Sequence, residues 1–70
     1  MHLKELIETL KKRRELLGVT QEHLAELSGV GLRTLKALES GKSNPTYGTL
    51  IKLAEVLGME LKLEVKQPKL

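Results

Sequence analysis

The sequence predicts a mainly α-helical domain, a four-helix bundle, followed by one β-strand. Three observations carry this. Apolar residues recur three or four apart in four blocks, each closed by a glycine, at Gly18, Gly29, Gly41 and Gly58. The stretch Thr20–Gly41 compresses two short helices around one glycine-containing turn. After Gly58 the period falls to two, with Met59, Leu61, Leu63 and Val65 alternating with Glu60, Lys62, Glu64 and Lys66. Seventy residues hold one small core, built of aliphatics because Tyr47 is the single aromatic. Without cysteine there is neither a disulfide framework nor a thiolate metal site. The net charge of +3, from 12 basic against 9 acidic residues, permits a nucleic-acid partner without demonstrating one.

The first helix is expected over residues 3–17, on the stripe Leu3, Leu6, Ile7, Leu10 and Leu17. Arg14 stands on that stripe where an aliphatic belongs. The second helix starts after Thr20, whose hydroxyl can cap it, with Val19 and Leu24 at the hydrophobic-staple positions and Glu22 near the positive end of the dipole. Leu24, Ala25 and Leu27 mark its apolar side, and Gly29 ends it. The third helix runs from Gly31 or Leu32 to Ser40, with Val30, Leu35 and Leu38 inward. Glu39, four residues after Leu35, repeats the oddity of Arg14. An unpaired buried charge costs several kcal/mol, so an Arg14–Glu39 ion pair is expected; the alternative is that both reach solvent. Lys11–Arg13 reads as a solvated face before it reads as a phosphate contact. After the loop KSNPT a fourth helix begins, capped by Asn44 with Pro45 at its first position, or by Thr46. Leu50, Ile51, Leu53, Ala54 and Leu57 mark its buried side. Two helices so tightly linked as the middle pair fit a helix-turn-helix, whose second helix can lie in a DNA major groove.

The strand has no partner in its own chain. An unpaired strand with an apolar row invites a second copy, antiparallel across a two-fold axis. With Leu63 on the axis Glu60 faces Lys66 and Lys62 faces Glu64, all opposite in sign; the Leu61-centred register is the second choice. The expected organisation is a helix-turn-helix DNA-binding domain over 1–58, a dimerisation strand over 59–67 carrying Met59, Leu61, Leu63 and Val65, and a flexible end over 68–70.

Thr20-Gln21-Glu22-His23-Leu24-Ala25-Glu26, Gly29-Val30, Leu38-Glu39-Ser40-Gly41-Lys42 and Asn44-Pro45-Thr46 together resemble the lambda-repressor/Cro-like (Xre) family over residues 3–58. The tail MELKLEVK resembles the HipB-like antitoxin branch, whose dimers share a two-stranded sheet. The resemblance implies that Gln21 binds a phosphate and that Leu32, Arg33 and Ala37 stand where base edges are read. It also makes Thr34, Lys36, Ser40, Lys42 and Asn44 candidates for phosphate or groove contacts. Gly31 departs from the usual Ser or Thr, which removes a side-chain cap. Leu32 and Ala37 can touch only a thymine methyl, so Arg33 is the strong reader among the three, with a phosphate contact as its alternative.

The implied function is a homodimeric repressor on a palindromic operator in double-stranded DNA, the autorepressor of a toxin–antitoxin pair with a HipA-like toxin as partner. A phage-type or restriction-control regulator, or a protein-interaction module without DNA binding, are the alternatives. No catalysis, metal or cofactor is expected from a chain without Cys or Asp and with only His2 and His23. Its short apolar runs predict a cytoplasmic protein without a membrane span.

Overall fold

The computed structural model describes residues 2–63 and 65. It contains four helices: α1 (Leu3–Leu16), α2 (Gln21–Ser28), α3 (Leu32–Glu39) and α4 (Tyr47–Val56). Their ends follow from local chemistry. Thr20 Oγ1 accepts from the His23 amide at 3.0 Å, and Thr46 Oγ1 accepts from the Thr49 amide at 3.1 Å. Thr46 is therefore the cap of α4, not Asn44. α1 and α3 start without a side-chain cap.

Two glycines show how helix exits set direction. At Gly41 (φ 76°) the Gly41 and Lys42 amides reach back to the Leu38 and Ala37 carbonyls, a Schellman closure. At Gly29 (φ 77°) a single bond returns to the Ala25 carbonyl, and the next amide, of Val30, instead donates to Ser28 Oγ at 3.2 Å. The chain thus leaves α2 early and enters α3 after only Gly29, Val30 and Gly31.

Ile7 and Leu10 of α1, Leu24 and Ala25 of α2, Val30, Leu35 and Leu38 around α3, and Leu50, Leu53 and Ala54 of α4 with its C-cap Leu57 form one core. α2 packs on both α3 and α4, and α1 packs on α3. Three positions expected on apolar stripes lie outward: Leu27 is 55% exposed, Leu17 47% and Leu3 38%. α2 is short and both its neighbours press on the Leu24–Ala25 side, so nothing covers Leu27. Leu17 falls beyond α1, in the turn that Gly18 completes.

The strand expected over 59–67 does not form among the described residues. A strand is defined by its partner, and among the described residues of this chain there is none. Met59 and Leu61 turn onto the protomer's own core instead, while Leu63 and Val65 stand fully in solvent. Leu3, Leu6, Leu10, Leu50, Met59 and Leu61 line an open apolar groove beside them.

Candidate nucleic-acid interface

α3 buries Leu35 and Leu38, and Leu32 leans half-buried against the same core. The opposite side carries Arg33, Lys36, Ala37 and Ser40, whose three- and four-residue spacing stacks them along one face. Arg33, Thr34, Lys36, Ser40, Lys42 and Asn44 are exposed, and Ala37 is half-buried. The one acid of α3, Glu39, is turned inward with 5% of its side chain exposed. The outer face is therefore basic with no carboxylate on it. Gly31 precedes α3 with no side-chain hydrogen bond, so the first amides of the helix are free of a cap.

Behind this face lies a three-residue polar network. Arg14 Nε donates to Glu39 Oε2 at 2.7 Å and Arg14 Nη2 to Glu39 Oε1 at 2.9 Å, a two-pronged pair between α1 and α3. Arg14 Nη1 donates to the Val19 carbonyl at 2.7 Å, fixing the α1–α2 turn. Gln21, the first residue of α2, donates from Nε2 to Glu39 Oε1 at 2.9 Å. The Glu39 hydrogen bond raises the Arg14 guanidinium above its ordinary pKa, outweighing the lowering by burial. Among the described residues no buried side-chain polar atom lacks a partner.

The three arginines divide accordingly. Arg14 holds Glu39, and Arg13 Nε donates to the Leu57 carbonyl at 3.0 Å, closing the end of α4 from α1. Arg13 is thus not part of a solvated face. Among the described residues Arg33 makes no hydrogen bond or ion pair, and it stands on the outer face of α3.

Among the expected site residues, Arg14, Glu39 and Gln21 meet in one network, and Arg33, Lys36, Ala37 and Ser40 share one face. Gly31 and Leu32 lie at the start of that face, with Leu32 leaning inward. Thr34 sits to one side of it, and Lys42 and Asn44 follow it in the loop. Met59 and Leu61 separate from Leu63 and Val65. Two contacts escaped the sequence reading. Arg13–Leu57 joins residues 44 apart and Gln21–Glu39 residues 18 apart. A basic run does not say which member folds inward, but a carboxylate already short of solvent does call for more than one donor. Among the described residues no three potential metal ligands gather, and no helix is long and apolar enough to cross a membrane.

A model of the helix-turn-helix family matches residues 10–63, most of the chain. The chain belongs to the helix-turn-helix family. This helix-turn-helix protein is 40% identical over 58 residues to an uncharacterized HTH-type transcriptional regulator of Haemophilus influenzae, an alignment covering 83% of the chain and 59% of the relative. It is 41% identical over 51 residues to another such regulator, of Methanothermobacter thermautotrophicus, covering 73% and 74%. With the cryptic phage CTXphi transcriptional repressor RstR of Vibrio cholerae it shares 33% identity over 54 residues, covering 77% of this chain and 48% of the repressor. The chain thus spans about half to three fifths of the first and last of these relatives.

Proposed function

We propose that the chain is a homodimeric, sequence-specific DNA-binding repressor that sets α3 into the major groove of a palindromic operator. The observation that carries this reading is Arg33, free and exposed on a basic, carboxylate-less helix face while the other two arginines hold the fold. Arg33 reads a guanine through O6 and N7, worth ~1–3 kcal/mol of discrimination. Leu32 and Ala37 contribute at most apolar contact at base edges. Gln21, Thr34, Lys36, Ser40, Lys42 and Asn44 bind phosphates or groove atoms, and DNA shape supplies the remaining specificity.

Residues 1–58 form the DNA-binding domain in this reading. The segment that begins at Met59 pairs with a second copy; its positions 64, 66 and 67, with the end over 68–70, lie outside the described residues. The full exposure of Leu63 and Val65 beside an open apolar groove supports the pairing. As the setting we propose autorepression of a toxin–antitoxin operon with a HipA-like toxin. Identity to the CTXphi repressor favours a second reading, a phage-type regulator.

Selection from a random duplex pool at moderate salt tests the reading. Enrichment of an inverted repeat with half-sites about one helical turn, ~34 Å, apart is the expected result. A folded protein that enriches nothing overturns it and leaves protein partners as the alternative.

A further inference from the structure

We propose that Glu39 is a positioning residue: it orients the Gln21 side-chain amide so that a donor, and not an acceptor, faces a DNA phosphate. This rests on the DNA-binding reading above.

A glutamine amide is nearly symmetric in shape but opposite in chemistry at its two ends. Its NH2 group donates and its oxygen accepts. Left free at the start of α2, Gln21 could turn either end toward an incoming phosphate, and only the NH2 end would bind it. The Glu39 carboxylate removes that choice because it can only accept. It takes one Gln21 N–H on Oε1 at 2.9 Å, which keeps the Gln21 oxygen away and leaves the second N–H unused. The carboxylate would itself repel a phosphate were it not already neutralised. Arg14 does this from the other side, through both Oε1 and Oε2, with the pair largely out of solvent. Arg14 thus neutralises Glu39, and Glu39 aims Gln21. Gln21 is half-buried at the start of α2, and its bond to Glu39 holds the side chain in place before any ligand arrives. Ordering before binding removes the cost of immobilising a rotamer-rich side chain at the moment of contact.

The test separates aiming from folding. Arg14→Met/Glu39→Met removes both charges together, which preserves packing far better than removing one, and leaves Gln21 without an acceptor. Arg14→Met/Glu39→Gln also removes the charges but restores an amide oxygen that can accept from Gln21. Binding to the selected duplex is measured for both pairs, with Gln21 and with Gln21→Ala. The Met/Met protein is expected to bind about three- to tenfold more weakly per protomer than wild type. The Met/Gln protein recovers most of that loss, and with Gln21→Ala the two pairs bind alike. Equal binding of the two pairs with Gln21 present, or a difference that persists with Gln21→Ala, overturns the proposal.

Side-chain amide relaxation of Gln21 in the wild-type protein without DNA gives a second readout that needs no variant to fold. A restrained NH2 group supports the assignment, and a freely rotating one overturns it. If wild type enriches no duplex, the DNA-binding reading fails on its own while this measurement still decides whether Glu39 holds Gln21.

Discussion

The α2–α3 pair and the segment after Gly58 are both strongly patterned in sequence, yet they end in opposite structural conditions. In the helix pair each pattern closes on itself. The Thr20 cap, the αL exit at Gly29, the Ser28–Val30 bond and the Schellman closure at Gly41 satisfy the local backbone within a few residues. Leu24, Leu35 and Leu38 meet the rest of the same core. After Gly58 the alternation is just as regular, but pleated pairing needs a second strand that the described residues do not supply. Its first two apolar residues settle on the protomer and the next two stay in solvent. Periodicity therefore states what a segment is suited to, and the available partner decides what it becomes.

Breaking the Arg14–Glu39 pair should have the largest effect on this contrast. Glu39→Ala leaves the half-buried Arg14 guanidinium without its carboxylate and should cost about 2–3 kcal/mol, as urea denaturation would measure. Arg33→Ala should instead leave urea stability within about 0.5 kcal/mol of wild type, since the side chain is exposed and makes no hydrogen bond or ion pair among the described residues. Its effect should appear in competition binding, as a loss of ~1–3 kcal/mol in preference for one base pair. Equal loss on every sequence would make Arg33 a phosphate contact.

How much of this was readable from sequence depends on how far apart the partners lie. Arg14 and Glu39 stand out because each places a charge on an apolar stripe, and two such misfits suggest one another. The caps and helix ends were legible because they involve neighbours two to five residues apart. Arg13 was not, because its acceptor is a main-chain carbonyl 44 residues on, and carbonyls leave no trace in sequence. Leu27 was misread for a related reason: its spacing suits burial, but whether a helix flank is covered depends on where the other helices run. Leu32 shows a milder form of this. It precedes the outer face in sequence, yet leans on the core.

Smaller effects sharpen the comparison further. If the proposed pairing forms, Leu63→Ser should leave unfolding of the single chain unchanged and weaken self-association by about 1–2 kcal/mol, measured by sedimentation across a concentration series. A sedimentation profile identical to wild type would remove Leu63 from any interface. Gly31→Ser should give the smallest shift. Gly31 has φ −59°, and an added Cβ would lie 3.8 Å from Thr34 Oγ1, an ordinary contact, so serine fits and can cap α3. A gain of about 0.5–1 kcal/mol is expected, seen as a rise in Tm.

The placement of Glu39 has a consequence for how this protein can change over time. α3 keeps its only acid, and the interactions that fix its axis, on the side facing α1 and α2. Arg33 and Lys36 stand exposed on the other side, while Ala37 is half-buried and Ser40 Oγ donates to the Ala37 carbonyl at the helix end. Substitutions at 33 and 36 can therefore accumulate without eroding stability, so the outward chemistry of α3 can drift while the scaffold is inherited unchanged.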